Sequence, residues 1–151
     1  MKSVKHILVP TDFEPASREA LDWAVGIARS ADAKVTLLHV WEIPIYPYMD
    51  FMLNSELISR VEDAAMGRVA RALEELKSEV PNAQSILHHG PPSDVILSAI
   101  QETSADLVVM GTHGRRGVGH ALLGSVAEKV VRLSPVAVLT VHAPAVPRAP
   151  V

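Results

Sequence analysis

The sequence predicts a three-layer, doubly wound α/β domain, and three observations carry that prediction. Short β-rich apolar runs alternate along the whole chain with longer stretches of helical spacing. Apolar residues make up 48% of the chain but aromatics only 4%, so the core must be built from Val, Leu, Ile and Ala. That aliphatic bias suits a parallel sheet covered by helices on both faces. The length of 151 residues is that of one domain, with no internal repeat.

The elements follow in order. Ile7-Leu8-Val9 reads as a buried first strand closed by Pro10. Ala16 to Ala31 has helical spacing through Ala20, Leu21, Ala24, Ile27 and Ala28, with Pro15 near its first turn. Val35 to Val40 is a second strand, which completes a βαβ unit with a right-handed crossover. Trp41 to Met52 holds Pro44, Pro47 and two tyrosines and reads as a long covering loop. Leu57, Val61, Ala65, Val69, Ala72 and Leu76 then repeat at three and four residues, predicting a helix over Leu53 to Glu79 that Pro81 stops. Ser85 to His89 is a weak third strand before Gly90-Pro91-Pro92, and Val95 to Thr103 a short helix facing inward with Ile96, Ala99 and Ile100. Leu107 to Met110 is a fourth strand, Ala121 to Leu133 a helix and Val136 to Val141 a fifth strand. The domain is expected to span 1–142, and the proline-bearing segment Ala143 to Val151 to be a mobile tail.

Composition excludes several classes of function. A formal net charge of −3 gives no general attraction to nucleic acid or an anionic membrane. There are no cysteines, hence no disulfide, thiolate metal site or cysteine nucleophile. The apolar runs are far shorter than the ~18 residues of a membrane span. No signal-peptide pattern precedes the first strand, and a cytoplasmic location is expected. Seven histidines raise the question of a metal, but no His-x3-His helix pattern supports a transition-metal site.

The main chemical signal is Gly111-Thr112-His113-Gly114, followed after nine residues by Gly124-Ser125. Glycine lets backbone approach a ligand closely, and Ser125 begins a helix whose free amides and positive dipole end attract an anion. Arg115 and Arg116 lie between the glycines. A guanidinium about 4 Å from a phosphate gains roughly 4 kcal/mol at an effective dielectric of about 20, but about 1 kcal/mol in open water. They contribute only if the loop closes on its ligand. The segment is neither a Walker A loop, which needs Gly-Lys-Ser/Thr, nor the dinucleotide fingerprint, which needs a third glycine after the first strand. The competing reading is structural: Ser125-Val126-Ala127-Glu128 has the spacing of a capping box, and the glycines can serve a tight βα turn.

Together these segments resemble the universal stress protein family. The spacing Gly-x2-Gly-x9-Gly-Ser matches that family's ATP-binding motif without departure, and the likeness runs from Val4 to Val141. It includes Val4 to Asp12, Val35 to Val40, Asp106 to Gly114, Gly124 to Val130 and Pro135 to Val141. The resemblance implies a five-stranded parallel sheet of order 3-2-1-4-5, of the adenine nucleotide alpha hydrolase-like kind. It also implies ATP as ligand, with Mg or Mn carried by the phosphates, and a homodimer along the last strand, Val136 to Val141. It assigns Pro10, Thr11 and Asp12 to the ribose and adenine end, and the backbone of Val40 to the adenine edge. Gly111, Gly114, Gly124, Ser125 and Val126 fall to the phosphates and ribose, with Arg115 and Arg116 beside them and Met110 also among the nucleotide-binding residues. Asp12 has a second reading, as a cap for the loop before the first helix. The function implied is a nucleotide-dependent regulatory or stress-response protein. A slow ATPase or phosphotransferase, and a nucleotide-free interaction module, are the alternatives.

Overall fold

The computed structural model describes residues 2–43, 55–112 and 123–144. In chain order the elements are β1 (His6–Thr11), α1 (Pro15–Ala31), β2 (Lys34–Trp41), α2 (Ser55–Glu79), β3 (Gln84–His89), α3 (Pro92–Thr103), β4 (Leu107–Gly111), α4 (Ser125–Leu133) and β5 (Ala137–Val141). The five strands form one parallel sheet in the order β3-β2-β1-β4-β5, as expected. The expected long loop at 41–52 and the tail at 143–151 lie largely outside the described residues.

Two cores flank the sheet because successive strand residues face opposite sides. On one side Ile7, Val9, Val35, Leu37 and Val109 pack with Ala20, Ala24 and Ala28 of α1 and Leu76 of α2. On the other, Leu8, Leu38, Val108 and Met110 pack with Ile96, Ala99 and Ile100 of α3 and with Ala127 and Val130 of α4. The small alanine face of α1 lets that helix lie close to the sheet.

Among the described residues three boundaries depart from expectation by two residues or more. Pro10 does not close the first strand; it sits inside β1, opposite Leu38 of β2. Its missing N–H is tolerated because pairing of β1 with β4 covers Ile7 and Leu8 and ends before Pro10. The third helix begins at Pro92 rather than Val95, with proline at the start of the helix, where no N–H is needed. The fourth helix begins at Ser125 rather than Ala121.

Helix ends account for two left-handed residues. Asp32 (φ 52°) and Ser104 (φ 54°) end α1 and α3, and each returns its backbone N–H to the last turn. Asp106 ties β1 to β4 at their N-terminal ends: its carboxylate accepts from Lys5 N at 2.9 Å, and its own N–H donates to His6 O at 3.0 Å.

Candidate functional site

The strand order places a topological switch between β1 and β4. The chain leaves β1 toward β2 under α1, and reaches β4 from the far edge by way of α3 on the opposite face. Helices therefore diverge above the carboxyl ends of these two strands, and ligands of open α/β sheets bind in such a crevice. With pairing between β1 and β4 ending at Leu8, the ends Pro10-Thr11-Asp12 and Met110-Gly111-Thr112 form the two sides of the crevice.

On the β1 side the turn into α1 is held by a compact polar network. Asp12 Oδ1 accepts from Glu14 N at 3.0 Å and from Ser17 Oγ at 2.8 Å. The Ser17 hydroxyl also lies 3.0 Å from Glu14 O and 3.1 Å from Thr11 Oγ1, and Thr11 Oγ1 accepts from Phe13 N at 3.0 Å. The capping role of Asp12 is thus real. Among the described residues these bonds use Oδ1 and not Oδ2. Phe13 adopts a left-handed backbone (φ 65°), uncommon for a bulky residue. Its ring lies 4.7 Å from that of His39, and Arg18 Nε donates to its carbonyl at 2.8 Å.

His39 was not singled out by sequence, although it stands alone among apolar residues near the end of β2. It is buried, and its Nδ1 lies 2.8 Å from Thr11 O. A carbonyl can only accept, so Nδ1 carries the proton and donates. That bond ties the end of β1 to β2 one residue before Val40, whose side chain packs into the α3–α4 core.

On the β4 side the glycines divide into different roles. Gly111 follows Met110 on the face covered by α1. A Cβ at Gly111 would lie 2.8 Å from Ala16 C and 2.9 Å from both Ala16 Cβ and Ser17 N. The close approach at this glycine is therefore made by the first turn of α1. Thr112 is buried, donates its N–H to Val141 O at 2.9 Å and lies 3.0 Å, through Oγ1, from His142 Nδ1. Gly124 N donates to Thr112 O at 2.6 Å, so the two ends of the glycine segment meet. Gly114, Arg115 and Arg116 lie outside the described residues.

The expected capping box is not formed. Gly124 occupies the N-cap with no side-chain cap, and Ser125 is the first helical residue. Glu128 pairs with Arg132 at 3.0 Å instead of reaching back. A glycine cannot cap with a side chain, so among the described residues no side chain caps the opening amides of α4, which begin beside an exposed Ser125. Among the described residues no group of three His, Asp or Glu side chains is placed to hold a metal, and no helix is long and apolar enough to cross a membrane.

These features define the class: a doubly wound α/β protein with a crevice at its switch point, bordered by a helix N-terminus and a segment pinned at both ends. The chain belongs to the universal stress protein family, whose sequence profile matches residues 3–142. It is 33% identical to a universal stress protein of Methanocaldococcus jannaschii, MJ0531, over 93% of this chain and 83% of that one. Its fold is similar to that of the universal stress protein UspA from Lactobacillus plantarum, with a TM-score of 0.80, 28% identity, and coverage of 93% of this chain and 99% of that one. A universal stress protein solved in complex with cAMP superposes with a TM-score of 0.65 at 25% identity, covering 94% of this chain and 99% of that one.

Proposed function

We infer that this protein binds an adenine nucleotide, ATP in preference to AMP or cyclic AMP, and acts as a nucleotide-dependent regulatory protein of the cytoplasm. The observation that carries the reading is the convergence on one crevice of the ends of β1 and β4 with the uncapped N-terminus of α4. Ser125 and Val126 supply backbone donors for phosphate, as helix N-termini do for anions, and Gly124, whose own N–H is held by Thr112 O, lets the backbone come close to it. Gly114, Arg115 and Arg116 join them from the glycine segment, with Gly111 setting its start. Pro10, Thr11 and Asp12 face the ribose and base, Asp12 Oδ2 accepting from a sugar hydroxyl. Val40 offers its backbone to the adenine edge, and Met110 lies beneath. A divalent ion, Mg or Mn, enters with the phosphates, since the described residues offer no cage of their own. The complex of a relative with cAMP supports an adenine nucleotide as the class of ligand.

The same reading makes the protein a homodimer. β5 is an edge strand, and among the described residues no strand pairs its outer side. Leu133 at the end of α4 is 51% exposed shortly before that edge. Sedimentation at several concentrations tests this; a monomer throughout would refute it.

The decisive test of binding is mass spectrometry of the purified, denatured protein, followed by calorimetry with ATP, AMP and cAMP. Bound nucleotide, or heat on ATP addition, is the expected result. A Gly124→Val variant should remain folded and lose affinity by at least about tenfold, the equivalent of about 1.4 kcal/mol. Undiminished affinity in that variant, or no nucleotide response in the parent, would remove the assignment.

A further inference from the structure

A cleft of about 600 Å³ lies between α1 and α2, on the face of the sheet opposite α4. Its volume is in the range of small-molecule sites. Leu21, Val25, Leu37, Ala72 and Leu76 give it apolar walls. Its charged lining is sorted. Both helices follow parallel strands and run back against them, so chain order along each gives height in the cleft. Arg18 of α1 and Arg68 and Arg71 of α2 stand toward the strand carboxyl ends. Asp22 of α1 and Glu75 and Glu79 of α2 stand one to three turns lower.

Two of the cations converge on one residue. Arg18 Nε donates to the carbonyl of Phe13, and the Arg68 guanidinium carbon lies 4.3 Å from the centre of the Phe13 ring. Phe13 is also the one described non-glycine residue outside a helix end with a left-handed backbone. Strain of that kind gathers at ligand clamps. Among the described residues none of the three arginines has an ion pair with a carboxylate, whereas Glu79 at the lower end is paired with Arg29 at 3.0 Å. Like charges brought together without a counter-ion repel, and an anion between them removes that cost.

The geometry points to this cleft as a second small-molecule site that takes a linear organic zwitterion. Its anionic end lies among Arg18, Arg68 and Arg71, its methylene chain along the apolar wall, and its ammonium end faces Asp22 and Glu75. The helical rise from Arg68 to Glu75 is about 10 Å, which sets the separation of the ligand's charges. Arg18 and Arg71 are exposed, so water screens them and the affinity is in the millimolar range. The site lies on the α1–α2 side of the β1 end, where Thr11 borders both it and the nucleotide crevice, and it does not depend on nucleotide binding.

The probe is ε-aminohexanoate, titrated into isotopically labelled protein and followed by amide NMR. At about 10 mM a site with a Kd of about 1 mM is roughly nine-tenths filled. Shifts should concentrate in α1, α2 and Phe13. Hexanoate should bind more weakly and adipate, with an anion at each end, most weakly. Arg68→Gln and Arg71→Gln should each weaken ε-aminohexanoate by about tenfold. Among the described residues Phe13 is held by Arg18 and Arg68 and not by Arg71, so the Arg71 variant keeps the test free of damage to that turn. Silence at α1 and α2, shifts centred on Gly124 instead, or adipate binding as well as ε-aminohexanoate would each overturn the proposal.

Discussion

Replacing Gly111 by alanine tests whether this glycine serves the ligand or the fold. The added methyl would meet backbone: Ala16 C at 2.8 Å and Ser17 N at 2.9 Å, with Ala16 Cβ also at 2.9 Å. Carbon atoms prefer about 3.5 to 4.0 Å, so the overlap is close to 1 Å and has no rotamer to escape into. Overpacking of this kind costs about 1 to 3 kcal/mol. Exchanging glycine for alanine returns about 0.5 to 1 kcal/mol through the unfolded chain. A clash with rigid backbone falls in the upper half of that range, about 2 to 3 kcal/mol, so the net loss is about 1 to 2.5 kcal/mol, or a fall in Tm of about 2 to 10 °C for a domain of this size. Urea denaturation and thermal melting, without ligand, measure it. The shift must fall on α1, so Ser17 and its bonds to Asp12 move too, and nucleotide affinity should fall together with stability. An unchanged Tm, or a loss of affinity at full stability, would refute the reasoning and return Gly111 to a direct ligand role.

Other expectations follow from single contacts. Ser17→Ala removes a buried hydroxyl bonded to Asp12 and Glu14, and should lower stability by about 1 to 2 kcal/mol in urea titrations. Ser104→Gly relieves a left-handed residue at the end of α3 and should raise the denaturation midpoint, by about 0.5 to 1 kcal/mol. His6 has its pKa lowered from 6.5, chiefly by burial and then by Lys34, against smaller opposing effects of the Thr103 backbone and Asp106. The unfolded chain then binds more protons than the folded one just below 6.5, so this contribution is complete above that pH and is lost as pH falls through the lowered folded value. Parent and His6→Gln should therefore diverge in stability as pH falls below 6.5, and parallel curves would contradict the burial argument.

Much of the fold is legible in the sequence because it rests on local patterns. Strands buried on both faces must be continuously apolar, and helices on a parallel sheet must be striped; Ile7-Leu8-Val9 and the alanine row of α1 show both. Prolines mislead at the margins. Pro10 looks like a stop but keeps its place where the β1–β4 pairing has already ended, and Pro92 starts a helix that spacing alone begins later. Ser125 and Glu128 have the right separation for a capping box, yet the preceding glycine takes the cap and Arg132 takes the glutamate. Within the site, the strand ends follow from strand order. The ties that fix them do not: His39 reaches Thr11 across 28 positions, and Thr112 reaches His142 across 30. Such bonds depend on register between strands, which no local spacing encodes.

The meeting of Thr112 and Gly124 has an evolutionary consequence. Their hydrogen bond holds the two flanking residues of the intervening segment together, while Thr112 is anchored to the end of β5 and Gly124 to the start of α4. Residues can be gained or lost between those two points without shifting either anchor, and doubling a closed loop's length costs only about 0.6 kcal/mol of entropy. The segment is in effect an exchangeable cassette on a fixed stem. A change of length there would break the Gly-x2-Gly-x9-Gly-Ser spacing of the proposed nucleotide site while the sheet beneath kept its register.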